Sequence, residues 1–218
     1  MKRFLIFLLA LTVLYSCGDK TLQLPQVAAS GVSEIQNHSE IWVFYKFDDK
    51  KIKAEINKNN TITSTHWIIN IDKRLPMSEV IPVLQMIKAK RAKKTVHSVD
   101  WVFDYLSYSD TLEEKIALFR VDSIQYITLN RKELITIEKE KPCDYTIEFL
   151  NDSFQINDKK YAFSDWKKQL FDSINNSCIQ LQFDKDLSYQ NYLKYRLELE
   201  TFLPKKAKVE HTEYLVKE

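Results

Sequence analysis

The spacing of apolar positions changes along the chain, and each change marks a predicted element. Residues 41–47 (IWVFYKF) are aromatic and β-branched, residues 51–57 (KIKAEIN) alternate, and residues 67–71 (WIINI) form a third apolar run; all three predict strands. The period then lengthens. After Pro76 and Ser78, the residues Val80, Val83, Leu84 and Ile87 recur at helical spacing. The run 88–94 (KAKRAKK) closes this helix with cations where the helix dipole is negative. Residues 101–108 predict a strand, Asp110 or Thr111 caps a short helix over 112–119, and residues 123–129 and 133–137 predict two more strands.

Residues 139–142 (KEKP) are charged, lack apolar side chains and end in proline, so they divide an N-terminal α+β region, 40–140, from a C-terminal one, 143–218. In the second region, residues 145–150 and 153–156 flank Asn151-Asp152 as a hairpin, and residues 159–162 extend it past Asn157-Asp158. Ser164 opens a helix with Trp166, Leu170, Phe171 and Ile174 on one side. Residues 179–183 alternate as a strand, residues 189–202 form a helix ended by Pro204, and residues 208–216 form the last strand. The order β-β-α-β-α-β predicts an α+β fold, with small mixed sheets carrying helices on one face.

Before residue 40 the pattern is different. Lys2 and Arg3, the apolar run 4–13 and the close Leu14-Tyr15-Ser16-Cys17 have the layout of a secretory signal peptide over residues 1–16. The apolar run is too short for a spanning helix, which needs roughly 20 residues. Its end resembles a bacterial lipobox: an aliphatic residue, then a small residue directly before cysteine. The resemblance implies cleavage before Cys17 and attachment of acyl chains, palmitate among them, to the new N-terminus. Residues 17–39, with few apolar positions, read as a lipid-anchored tether.

Composition narrows the chemistry. The chain has 32 Lys and Arg against 30 Asp and Glu, and Lys2 and Arg3 account for the surplus, so the mature chain is balanced. A nucleic-acid binder needs a basic excess to neutralise phosphates. Glycine is confined to Gly18 and Gly31, which excludes phosphate-cradling loops, Rossmann turns and the nucleophile elbow. Tight turns must therefore use Asn and Asp, as at Asn59-Asn60, Asn151-Asp152, Asn157-Asp158 and Asn175-Asn176.

Candidate sites are few. His97 and Asp100, beside Trp101, are the nearest approach to an acid–base pair, with no nucleophile or orienting group attached to them by sequence. No catalytic residue, metal set or cofactor is assigned. Tyr189, Tyr192 and Tyr195 share one helix, where they form either an interaction face or a core stripe. Cys143 and Cys178 remain once Cys17 is acylated, in a compartment that permits a disulfide.

The stretch 146–216 resembles the periplasmic domain of the ExbD/TolR family. The resemblance rests on Phe154-Gln155-Ile156-Asn157 before a helix and on Leu181-Gln182-Phe183-Asp184-Lys185-Asp186-Leu187-Ser188-Tyr189 at a strand-to-helix junction. It implies an extramembrane domain that dimerises or docks on envelope components. The family's membrane helix and its proton-handling aspartate have no counterpart here. It also implies parallel, adjacent first and third strands, at whose shared end Cys143 and Cys178 sit. A disulfide there contributes on the order of 3 kcal/mol in the chain-entropy model, and separate thiols are the alternative. The junction has an echo in the first half, where Ile69-Asn70-Ile71-Asp72-Lys73-Arg74-Leu75 aligns with 181–187, by duplication or by chance.

The sequence expectation is a non-enzymatic envelope lipoprotein of a Gram-negative bacterium, facing the periplasm from the outer membrane rather than the inner. It would act as a protein-interaction or accessory module, the resemblance pointing to an ExbD/TolR-type complex, with an envelope partner or a second copy and no nucleic acid. The rival expectations are an envelope hydrolase and a small-ligand or lipid-binding lipoprotein.

Overall fold

The computed structural model describes residues 21–57, 61–93, 101–165, 168–169, 177–203 and 207–217. Cys17 and the residues before it, His97, Asp100 and most of the helix expected from Ser164 lie outside these residues. Within them the protein is mixed α+β, built on two mixed sheets.

The first sheet holds β1 (Gln26–Val27), β2 (His38–Asp48), β3 (Lys51–Ile56), β4 (His66–Ile71), β5 (Asp104–Asp110) and β6 (Lys115–Arg120). The β2–β3 hairpin turns on Asp49 and Lys50, both at positive φ without glycine. β2, β4 and β5 run parallel, and α1 (Met77–Ala92) provides the crossover that parallel neighbours require. The second sheet holds β7 (Gln125–Asn130), β8 (Tyr145–Phe149), β9 (Ser153–Ile156), β10 (Lys159–Ala162), β11 (Cys178–Asp184) and β12 (Lys208–Lys217). Its helices are α2 (Arg131–Glu140) and α3 (Tyr189–Phe202).

The strand path β3-β2-β4-β5 recurs as β9-β8-β11-β12, with the same succession of antiparallel, parallel and parallel pairs. The two copies meet at their strand-to-helix junctions, in the register that pairs Leu75 with Leu187. Met77 N–H donates to the Leu187 carbonyl at 2.8 Å, and Tyr189 N–H donates to the Leu75 carbonyl at 2.8 Å. Ser78 N–H donates to Lys185 O at 2.9 Å, and Gln190 N–H donates to Lys73 O at 3.1 Å. These are first-turn amides, which a helix cannot satisfy by itself, so each junction caps the other helix.

The aspartate that ends each strand explains the local shape. Asp72 Oδ1 accepts from Arg74 N–H and Asp184 Oδ1 from Asp186 N–H, while Leu75 and Leu187 N–H donate to the carbonyls of Asp72 and Asp184. Burial pushes the Asp72 carboxyl up, but the Arg74 guanidinium and the N–H groups of Arg74 and Gln23 outweigh it and hold the carboxyl below its ordinary value.

The same register matches the helices. Buried Met77, Val80, Ile81, Val83, Leu84 and Ile87 of α1 correspond to buried Tyr189, Tyr192, Leu193, Tyr195, Arg196 and Leu199 of α3. Both helices and both sheets share one hydrophobic core. One position breaks the likeness. Arg196 stands where α1 has Leu84, and its guanidinium donates to Glu213 Oε1 at 2.7 Å and to Glu200 Oε1 at 2.6 Å. The second oxygen of buried Glu213 accepts from Tyr192 Oη at 2.8 Å, and Tyr192 meets Tyr126 Oη of β7 at 3.2 Å.

Several sequence expectations are corrected. Residues 115–119 of the expected 112–119 helix lie in β6, because Glu114 takes positive φ and folds the segment back on β5. The strand expected over 133–137 is inside α2, whose start is a capping box: Asn130 Oδ1 accepts Glu133 N–H, and Glu133 Oε2 accepts Asn130 N–H. β7 precedes the 139–142 segment yet pairs with β12, so that segment does not separate the sheets. Residues 21–39 are not a free tether throughout. β1 pairs with β5, Val27 and Ala29 are buried, and Gly31 lies so near Tyr108 Oη that a Cβ would collide with it. The helices also do not share one face. Leu181 and Phe183 face α3 in the core, whereas the intervening Gln182 reaches α2 on the other side.

Candidate functional site

α2 lies across the outer face of the second sheet through polar contacts. The capping box fixes its first turn, which sets Arg131 over β8. Arg131 Nη1 donates to Glu148 Oε2 at 2.9 Å, and Nη2 donates to Glu148 Oε1 at 2.6 Å. One turn on, Leu134 is buried; a further turn on, Glu138 Oε1 accepts from Gln182 Nε2 at 2.6 Å. Positions 131, 134 and 138 share a helix face by their spacing.

Between helix and sheet lies a cavity of about 440 Å³, lined also by Thr146, Gln155, Asn157 and Asp158. Its rim is the β9–β10 turn, where Asn157 and Asp158 both take positive φ. Asn157 is fixed there because its Oδ1 accepts from Thr146 N–H at 2.8 Å and its Nδ2 donates to Asp144 O at 3.2 Å. Hydrogen bonds to Glu148 raise the Arg131 guanidinium above its ordinary pKa despite partial burial, and the charges of Glu148, Glu138 and Asp158 add to this. Three carboxylates thus surround one guanidinium.

This chemistry suits recognition. Both oxygens of Glu148 accept from Arg131, and Glu138 holds Gln182, so neither carboxylate is an uncommitted proton acceptor. The Arg131–Glu148 fork is rigid and bidentate, and the amides of Gln155, Gln182 and Asn157 add donors and acceptors in fixed places. A cationic or hydrogen-bonding group fits such a lining.

A second recess sits where β8 and β11 begin. Cys143 and Cys178 form a disulfide, and Asp144 Oδ2 accepts Cys178 N–H at 2.7 Å. The recess, about 170 Å³, is lined by Lys141, Pro142, Cys143, Cys178, Gln180, Glu210 and Tyr214.

The other sequence candidates fall elsewhere. Tyr189, Tyr192 and Tyr195 are buried, so the tyrosine row belongs to the core and is not an exposed interaction face. Burial raises the hydroxyl pKa of all three. Two cations at the end of α1 are tied down: Lys88 Nζ donates to Asp122 O, and Arg91 binds Asp104 and stacks 3.6 Å from the Trp67 ring centroid. His66 Nδ1 accepts Phe103 N–H at 3.0 Å, as a structural histidine does. Sequence reasoning passed over Arg131, Glu138, Glu148 and Gln182; the available signal was Asn130-x-x-Glu133, a helix start that would have placed Arg131 and Glu138 on one face. No protein-family model matches the chain, and no curated protein and no solved structure shows significant similarity to it.

Proposed function

We propose that this is a lipid-anchored envelope protein of a Gram-negative bacterium that works without catalysis, by docking on another envelope component from the periplasmic side. The observation that carries the reading is the outer-face cavity, where Arg131 and Glu148 are locked in a bidentate pair and Glu138 and Asp158 add negative charge beside it. Such a lining recognises shape and charge. Three carboxylates against one guanidinium favour a partner that brings a basic side chain.

The finer reading is an ExbD/TolR-like C-terminal module. In its support, β8 and β9 form a hairpin, β8 and β11 are parallel neighbours, and α3 connects β11 to β12. Anchorage rests on Leu14-Tyr15-Ser16-Cys17, and no helix among the described residues is long and apolar enough to cross a membrane. The outer membrane is the proposed location.

Membrane fractionation and capture from gently solubilised membranes test both halves of the reading. Cys17→Ser leaves the membrane fraction. Glu138→Lys, which reverses a charge in the cavity, stays membrane-bound and loses the partner, whereas Glu113→Lys on the first half keeps it. Unchanged membrane retention of Cys17→Ser, or full partner recovery by Glu138→Lys, contradicts the proposal.

A further inference from the structure

The recess at the disulfide contains two groups that the oxidised pair leaves unexplained. Glu210 Oε1 lies 3.6 Å from Cys178 Sγ, and a disulfide sulfur has no hydrogen to give a carboxylate. Gln180 is almost fully buried, lines the same recess, and its Nε2 has no hydrogen-bond partner among the described residues. A buried amide donor without an acceptor is costly, so its position calls for an acceptor.

Reduction resolves both. Two thiolates and the Glu210 carboxylate carry three negative charges, and the donor atoms of Cys143, Cys178 and Glu210 lie within 4.8 Å of one another. A thiolate also accepts an amide N–H, which gives Gln180 its partner in the outer shell of a metal site. We propose that the reduced Cys143–Cys178 pair and Glu210 form a site for a thiophilic divalent cation of the zinc class.

The donor set, two sulfurs and a carboxylate, matches that class. Zinc takes sulfur at about 2.3 Å and carboxylate oxygen at about 2.0–2.2 Å, usually in a tetrahedron with a fourth ligand that water can supply. The recess opens to solvent, so the cation and that water have a path in. Lys208 Nζ, 3.5 Å from Glu210 Oε1, sits on a mostly exposed side chain and swings away when a cation takes the oxygen.

The chemical step balances. A dithiol reductant gives two electrons and two protons to the disulfide, producing two thiols here and a disulfide in the reductant. The cation then displaces both thiol protons, so its affinity rises with pH. The oxidised Cys143–Cys178 pair has no thiolate to offer, so the site is redox-gated.

The full-length protein, reduced with a phosphine (which becomes its phosphine oxide, with oxygen from water) and titrated with Co²⁺, tests this directly. Reduced protein shows thiolate-to-cobalt charge-transfer absorption that Zn²⁺ abolishes, and oxidised protein shows none. Glu210→Gln, which keeps the disulfide and alters a partly exposed side chain, weakens Co²⁺ binding by at least about tenfold. Circular dichroism follows the fold of the reduced protein throughout. Absence of the charge-transfer band, loss of the fold on reduction, or a Glu210→Gln variant that binds as tightly as the parent overturns the proposal.

Discussion

The two halves of this molecule share an inner frame and differ on their outer faces. Inside, β4 leads into α1 as β11 leads into α3, each through an Asp-x-x-Leu turn, and the two junctions exchange first-turn hydrogen bonds in one register. Outside, the first sheet sets Ile68 against Tyr105, Leu118, Ile35 and Phe103, an apolar patch closed in part by the N-terminal segment. At the positions equivalent to Ile68 and Asn70, the second sheet carries Gln180 and Gln182, which face the two recesses. Packing against a copy of itself constrains the inner positions on both sides at once. The outer positions are under no such constraint, and there the halves have taken different chemistry.

The largest test is the position where the inner frames disagree. Arg196→Leu makes α3 like α1 but leaves Glu213 buried without its cation, and breaking such a pair costs about 3–5 kcal/mol. Pairing it with Glu213→Leu recovers most of that loss in denaturant unfolding. If the single variant is as stable as the parent, Arg196 is not an essential departure from the pattern.

Next in size are the matched leucines. Leu75→Ala and Leu187→Ala each remove a fully buried side chain, and each costs about 2–5 kcal/mol. Equivalence predicts that the two values agree to within about 1 kcal/mol, close to the ordinary scatter between well-matched sites. A much smaller cost on one side breaks the symmetry.

Gly31 probes how tightly the N-terminal segment closes on the first half. A Cβ there meets Tyr108 Oη and comes within 3.1 Å of Leu118 O, so Gly31→Ala destabilises by about 1–3 kcal/mol through overpacking. Unchanged thermal unfolding would show that the N-terminal segment yields freely.

The smallest effect is acid dependence. The folded Asp72 carboxyl titrates below its ordinary value of 3.8, so its ionised form stabilises the fold above that value. This contribution is lost as pH falls through the lower folded value. Asp72→Asn therefore loses stability at neutral pH and shows a flatter acid limb than the parent. An unchanged limb contradicts the Arg74 and backbone account of the junction.

Much of the inner frame was legible in the sequence, because its positions follow local periods. The 69–75 and 181–187 echo is visible as Asp, Lys and Leu at fixed places, and the structure makes it a contact. The outer parts were harder. Leu112, Ile116 and Phe119 fall at helical spacing, but Glu114 accepts the positive φ that usually calls for glycine, and the segment turns back as a hairpin. Leu134-Ile135-Thr136-Ile137 has strand composition, and the capping box overrides it. Tyr189, Tyr192 and Tyr195 recur on one side of a helix whichever way that side faces, and their burial follows from the partner frame. The cavity was not legible, since Arg131, Glu148, Gln155 and Gln182 come from four elements whose adjacency is tertiary.

The two junctions cap each other. Native-state hydrogen exchange, read residue by residue, tests it most directly through the amides of Met77, Ser78, Tyr189 and Gln190. First-turn amides of an uncapped helix exchange quickly, because they have no intrahelical acceptor. Reciprocal capping predicts that all four are protected together, to the level of the core strands β4 and β11. Fast exchange at these four, with β4 and β11 still protected, would contradict it.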